Sequence, residues 1–412
     1  MKTIGLLFVC AVLLAAQNSA DVGSLEAEAQ RLLAAHDTDG ALAKYEELAQ
    51  LAPDSAHFQD EIGYILAATN RAADALPHFE RATTLQPDFA QAWYHLGVAQ
   101  WLLGEKQEAL PSLHKAVALA PGNPDYNLRL GSAYSEAGDY AKAIPELSIA
   151  AKASPDTASI WESLGLACQQ SQQYDCARDA YEHALGLEPQ NTALRNSYGI
   201  VLVDKGDAAA GLAEFHRVLD REPDNATAMA NIGYSEIASG KLPEAIQQLS
   251  KVIDLHPDMV AAHYDLGIAY KQLDDLPHAQ KELEEAVQLD GKLAEAHYTL
   301  GLVYLQAGEI DQAISQFQSA TDTRPGYWGA WTMLTTALKQ KGDLNGALAA
   351  LRKSLSINGN DAGAYNTLGL LLRQQGDMEG SKAAFAKGTA LRHTQEQEKA
   401  DLLRQGPARS NP

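Results

Sequence analysis

The chain has 412 residues, a formal net charge of −21, 46% hydrophobic residues and 21% charged ones. That balance is ordinary for a folded, water-soluble protein and argues against both wholesale disorder and a polytopic membrane protein. Carboxylates outnumber Lys and Arg by 53 to 32, so nucleic acid, which needs clustered basic side chains, is not an expected partner; the acidity reads as what keeps a long exposed surface in solution.

The first twenty residues, MKTIGLLFVCAVLLAAQNSA, place one positive charge at Lys2 before an apolar run from Ile4 to Ala16, then Gln17 and Asn18, then the small pair Ser19-Ala20. This is the pattern of a secretory signal peptide over residues 1–20, and it predicts an exported chain, periplasmic or extracellular. The apolar run is shorter than the roughly 20 residues a spanning helix needs, so an uncleaved membrane anchor is the alternative reading. Leu7-Phe8-Val9-Cys10 resembles a bacterial lipoprotein signal, although Val9 is bulkier than the residue such signals place before the cysteine. Cleavage removes Lys2 and no carboxylate, which takes the charge from −21 to −22.

From Val22 one frame of 34 residues runs eleven times without an insertion: 22–55, 56–89, 90–123, 124–157, 158–191, 192–225, 226–259, 260–293, 294–327, 328–361 and 362–395. AWYHLGVAQWLLGEKQEAL from Ala92 returns as AHYDLGIAYKQLDDLPHAQ from Ala262 and as AHYTLGLVYLQAGEIDQAI from Ala296. The eighth position is Gly in nine units, with Ala29 and Thr335 as the exceptions; the twentieth is Ala in nine; the thirty-second is Pro in eight. Within each unit apolar residues recur at three and four, which predicts two helices per unit. A turn often reading Gly-Asp, as at Gly138-Asp139, Gly206-Asp207, Gly342-Asp343 and Gly376-Asp377, separates them, Gly ending the first helix and Asp available to cap the second. Small residues at positions eight and twenty bring the two helices close, and large ones at four, seven, eleven and twenty-four fill the space around that contact. Pro77, Pro111 and Pro145 fall inside the second helix, where each removes a backbone hydrogen bond or adds a bend.

Trp93-x-x-Leu96-Gly97, followed by Ala109, Leu113 and Pro121, resembles the tetratricopeptide repeat, other copies supplying aromatics such as Tyr134, Tyr304 and Phe317. The resemblance implies an all-α, right-handed superhelical solenoid of eleven repeats, with first helices lining a concave groove and second helices on the convex side. Unit one carries Glu28 at a core slot, and unit eleven carries Ser381, Gly388 and His393 in place of Ala, Ala and Pro, polar changes that suit the ends of an array. Residues 396–412 are expected to add a short capping helix, Glu398 to Gln405, laid over the last hairpin by Leu402 and Leu403, and a flexible tail.

The array takes 374 of the 412 residues, and no catalytic domain fits in the remainder. There is no phosphate-binding Gly-rich loop, Gly-x-Ser-x-Gly, His-Glu-x-x-His or paired-Cys zinc spacing, so neither an enzyme nor a cofactor is expected. His263 and His297 share a repeat position in adjacent units and suggest a metal pair, but no third ligand recurs beside them; the expectation is no metal, with each His in the slot that Trp93 fills elsewhere. The leading functional expectation is a non-catalytic scaffold or adaptor holding a segment of a protein partner in the groove, in a bacterial cell-envelope assembly. The alternatives are a module associated with a glycosyltransferase or a polysaccharide or pilus export system, and a glycan-binding envelope component. Repeat-bearing sugar transferases display an asparagine ladder at position six, where this chain has Asn231 alone; the terminus-gripping version of the family places Lys at position five, which this chain never does.

Cys168 and Cys176 lie on opposite arms of one hairpin, at a spacing resembling that of disulfide-stapled helical repeats secreted by some bacteria; a bridge and a pair of buried thiols are both open. In the implied fold the groove is lined by positions two, five, nine and twelve, with position nine of one unit beside position five of the next. Two such pairs are both tyrosine, Tyr64 with Tyr94 and Tyr234 with Tyr264. Val98 and Trp101 accompany the first, and Ile237, Ile268, Tyr298 and Leu302 the second, giving two aromatic patches as the candidate partner-binding groove.

Overall fold

The computed structural model describes residues 22–405, all of them in helices or the turns between helices, with no strand among the described residues. The segment expected to be a signal peptide, residues 1–20, and the tail from residue 406 lie outside the described residues. The chain divides into two compact bodies, one ending at Lys205 and one starting at Gly206, a cut in the turn of the sixth unit.

In the first body the first helices of successive units are 22–34, Ala56–Ala68, Ala90–Leu102, Pro124–Glu136, Ala158–Gln170 and Thr192–Asp204. The second helices between them are Thr38–Leu51, Ala72–Leu85, Lys106–Leu119, Tyr140–Ala153 and Tyr174–Leu187. The second body opens with Ala208–Leu219 and continues as hairpins, of which Val260–Gln272 with Leu276–Leu289, and Ala294–Ala307 with Ile310–Thr323, matter most below. Starts recur at the 34-residue spacing, as the sequence frame requires.

The glycine at position eight is what sets the distance between the two helices of a hairpin. A Cβ built on Gly63 would lie 2.6 Å from the Phe79 ring, and one on Gly301 would lie 2.7 Å from the Phe317 ring, the large residue at position twenty-four in each case. Position fifteen ends the first helix and has positive φ in all eleven units. Seven are Gly; His36, Asn70, Gln172 and Asp274 hold the same conformation with a side chain, at a cost of roughly 1 kcal/mol each. Asp207 and Asp343 cap the following helix by accepting from the Ala210 and Gly346 amides, whereas Asp139 makes no cap and pairs with Lys142 at 2.5 Å. The helices containing Pro77, Pro111 and Pro145 run through the proline without interruption.

Position four performs a repeated task. Its side-chain N–H reaches the carbonyl six residues earlier, in the turn from the preceding unit: Trp93 to Pro87 at 3.0 Å, Trp161 to Pro155 at 2.9 Å, Arg195 to Pro189 at 2.7 Å and Trp331 to Pro325 at 2.9 Å. Asn127, His263 and His297 take the same role on Pro121, Pro257 and Gly291. In these seven units the carbonyl of the inter-unit turn is satisfied by the donor that occupies the slot.

At the C-terminal end the structure differs from expectation. The last element is one helix, Met378–Gln405, not a hairpin arm followed by a separate short helix. The reason is His393: where eight other units have Pro to break the chain, this unit has a residue that continues it. The Leu402 and Leu403 side chains lie outside what is described. At the other end Glu28 occupies a core slot beside Lys44, 3.6 Å from its ammonium.

Candidate partner-binding site

Tyr64 is at position nine of the second unit; Tyr94, Val98 and Leu102 follow at a spacing of four along the first helix of the third unit and so form one stripe. The two helices meet around a cavity of about 280 Å³ lined by Tyr64, Tyr94, His95, Val98 and Leu102, with Phe79 of the second helix reaching it past Gly63. Tyr64 is 50% exposed and Leu102 67% exposed. A second hollow, about 510 Å³, shares Ala67 and Leu102 with the first and continues over Arg71, Ala72 and Asp74.

A buried polar group supports this apolar surface. Asp60, fully buried, accepts from His95 Nδ1 at 2.9 Å and from Gln91 Nε2 at 3.2 Å. The His95 ring is in turn surrounded by Tyr64, Phe79 and Tyr94, at centroid distances of 5.3, 5.5 and 5.7 Å. Burial pushes the Glu61 carboxyl above the usual carboxylate range, His57 pulling it down and Asp60 adding to the rise. Tyr94 also stacks on Tyr126 of the next unit at 4.7 Å, and burial raises its phenol.

Trp101 does not belong to this patch. It is 8% exposed, and its Nε1 donates to Glu136 at 2.8 Å while Arg129 lies over the ring at 5.2 Å, both from the following unit. Ile237 is likewise 8% exposed and sits in a core cluster with Leu249, Leu266 and Ala269. Both occupy position twelve, where a large apolar side chain is covered by the next unit instead of lining an open wall.

In the second body Tyr264, Tyr298 and Leu302 pack part-buried against one core cluster and Ile268 against another, and Tyr234 is part-buried. Tyr298 contacts Phe317 at 6.0 Å and Tyr327 at 5.0 Å. Arg324 lies over the Tyr327 ring at 5.3 Å and holds Glu295 at 2.5 Å; burial pushes the Tyr327 phenol up to about 12. Beside Tyr264, Asp265 at position six makes no ion pair among the described residues, and burial pushes its carboxyl up to about 7. Sequence reasoning missed Tyr126, Tyr327, His95 and Leu102 as neighbours of the tyrosine pairs. Spacing along the first helix alone could have found Leu102, eight residues after Tyr94.

Cys168 and Cys176 are disulfide-bonded, with Cα atoms 5.7 Å apart. His263 and His297 each bond within or next to their own hairpin, and among the described residues no group of three or more His, Cys, Asp or Glu could hold a metal ion. No helix among the described residues is long and apolar enough to cross a membrane.

Profiles of the tetratricopeptide repeat match residues 26–83, 61–124, 104–165, 236–297, 274–338, 329–361 and 362–392. The profile of the cytochrome c-type biogenesis protein H TPR domain matches residues 147–263. No curated protein matches the chain significantly. Among solved structures, a crystal structure of MamA is 26% identical over 40% of this chain and 97% of its own, with a TM-score of 0.39. A tetratricopeptide repeat protein from Parabacteroides merdae is 18% identical over 60% of this chain and 98% of its own, with a TM-score of 0.48. A human IFIT1 dimer with m7Gppp-AAAA is 16% identical over 82% of this chain and 90% of its own, with a TM-score of 0.42.

Proposed function

Because the chain belongs to the tetratricopeptide-repeat family, we propose that it is a non-catalytic scaffold that holds a segment of a protein partner along its first helices, as part of a bacterial cell-envelope assembly. The observation that carries this reading is the cavity between Tyr64 and Leu102, with its two exposed apolar rims: large apolar side chains that the fold leaves uncovered are the usual mark of a binding surface. The tyrosine cluster at Tyr264, Tyr298 and Tyr327 offers a second grip in the other body. Export is supported by the leader-like first twenty residues and by the Cys168–Cys176 bridge, which is stable in an oxidising compartment. The profile match to a domain named for cytochrome c biogenesis is compatible with a role in assembly. The excess of carboxylates argues for a protein partner over nucleic acid.

Each of the two surfaces contributes its own anchoring aromatics, so removing them weakens capture through that surface. Tyr64→Ala with Tyr94→Ala, and separately Tyr264→Ala with Tyr298→Ala, are expected each to reduce crosslinking to the native partner in its own cell envelope at unchanged helical content. If both double variants crosslink as the parent does, the first-helix surface is not where the partner binds.

A further inference from the structure

Three features of the Tyr64–Leu102 cavity together restrict what it accepts. Its volume, about 280 Å³, is at the lower limit for a small-molecule site and suits a single side chain. Its walls are apolar and aromatic except for one imidazole, His95, whose orientation is fixed because Nδ1 is held by the fully buried Asp60. With Nδ1 held by Asp60, Nε2 is the ring nitrogen left without a partner among the described residues, and in the neutral form of the ring it is an acceptor. Nε2 is not sealed in the core, so it is reachable from the cavity, where a ligand that brings a donor can hydrogen-bond to it.

We propose that this cavity receives one aromatic side chain of the partner segment, a tyrosine or a tryptophan, whose O–H or N–H is accepted by His95 Nε2. The inference rests on the scaffold reading above and specifies the chemistry of its anchor. The surroundings point to a chain and not to a free ring: past Leu102 the surface continues into an adjoining hollow of mixed polarity, lined by Ala67, Asn70, Arg71 and Asp74, which a peptide segment spans and an isolated ring leaves empty. Tyrosine and tryptophan are also the residues that combine a large apolar body with a polar tip.

The test is selection of random peptides displayed on phage against the full chain, with Tyr64→Ala/Leu102→Ala protein used to discard clones that do not need the cavity. Clones that depend on Tyr64 and Leu102 are expected to share a Tyr or Trp. A synthetic peptide of that sequence is expected to bind the parent protein about three- to tenfold more tightly than its Tyr→Phe analogue, the worth of one net hydrogen bond. His95→Asn retains a donor at the Nδ1 position for Asp60 and lacks Nε2, so on that variant the Tyr and Phe peptides should bind equally, with an unchanged thermal midpoint. If His95→Asn fails to fold, the Tyr–Phe comparison on the parent protein decides alone. Equal binding of the two peptides to the parent, or a shared anchor that is aliphatic or charged, overturns the proposal while leaving the scaffold reading intact, since capture still depends on Tyr64 and Leu102. Absence of any clone that depends on them overturns it as well, and the double variants above then decide the scaffold reading.

Discussion

His263 Nδ1 lies 2.8 Å from Glu282 Oε2 across the eighth hairpin, while His263 Nε2 lies 3.0 Å from the Pro257 carbonyl, and both side chains are less than a tenth exposed. Both ring nitrogens face an acceptor, the Glu282 carboxylate and the Pro257 carbonyl, which is the geometry an imidazolium–carboxylate ion pair would take. Burial alone would raise the Glu282 carboxyl, but hydrogen bonds from Lys281 and His263 hold it below its ordinary value. In the ninth unit the equivalent residues are His297 and Gln316, 2.7 Å apart. An amide can turn round to offer N–H to a neutral ring; a carboxylate cannot.

Glu282→Gln therefore converts the eighth unit to the ninth unit's arrangement and is expected to cost no more than about 1 kcal/mol at pH 7, whereas Glu282→Leu leaves His263 Nδ1 buried without an acceptor and should cost about 2–3 kcal/mol. Urea unfolding measures both. Because Glu282 is depressed in the fold, its contribution is present above its unfolded value near 4.5 and is lost as pH falls through the folded one. Below pH 4.5 the gap between the parent and Glu282→Gln should close; a gap that holds constant to pH 3 rules out the ion pair.

The same two repeat positions, four and twenty-three, obey a rule across the chain. Where position four is Trp or Tyr, position twenty-three is small: Trp93 with Ser112, Trp161 with Ala180, Trp331 with Ala350, Tyr365 with Ala384. Where position four is a smaller polar residue, a hydrogen-bonding side chain faces it, as in Gln59 with His78 at 2.9 Å and the two histidine pairs above. Trp331→His alone should keep the donor to Pro325 but leave a void over Ala350, costing about 2–3 kcal/mol. Adding Ala350→Gln supplies both volume and partner, and the double variant should recover about 1 kcal/mol of that loss in a double-mutant cycle. Strict additivity would show that the two positions do not sense each other.

That rule also marks how far the sequence could be read. Gly63 against Phe79 and the turn at position fifteen were legible because eleven copies put the same physical demand at the same place. Trp101 and Ile237 were misplaced because periodicity gives the face of a helix on which a side chain lies, not how much of that face the next hairpin covers. Asp60 with His95 was invisible for the opposite reason: the pair occurs once, between residues 35 apart in different units, and nothing repeats to reveal it. The continuous helix to Gln405 followed from a missing proline whose consequence depended on nothing else stopping the chain.

The Cys168–Cys176 bridge spans the turn of the fifth hairpin, in which Gln172 is held at φ 58°. Closing so short a loop is worth about 2–3 kcal/mol on the chain-entropy account. Thiol counting on denatured, unreduced protein purified without its first twenty residues should find none, and two free thiols would refute the bridge. With the bridge reduced, the strained Gln172 has lost its constraint, so Gln172→Gly should stabilise the reduced protein by about 1 kcal/mol, read as a shift in the thermal midpoint.

Asp265 gives the chain a pH response of opposite sign to that of Glu282. Its carboxyl is pushed from 3.8 to about 7 by burial, and no cation is paired with it among the described residues. Between those values the folded state binds the proton and the unfolded chain does not, so this group makes the fold less stable as pH rises from about 4 to 7, after which its contribution no longer changes. Above pH 7 the fold must hold an uncompensated carboxylate next to Tyr264, whose own phenol burial raises. Asp265→Asn removes that charge with little change in shape, and is expected to stabilise the protein by something on the order of 1–3 kcal/mol at pH 8 and by clearly less at pH 5. Urea unfolding of parent and variant at the two pH values makes the comparison. A variant that differs from the parent equally at both would mean that Asp265 is well solvated and ionised throughout, and the tyrosine-lined surface of the second body would then be wetter than its burial implies.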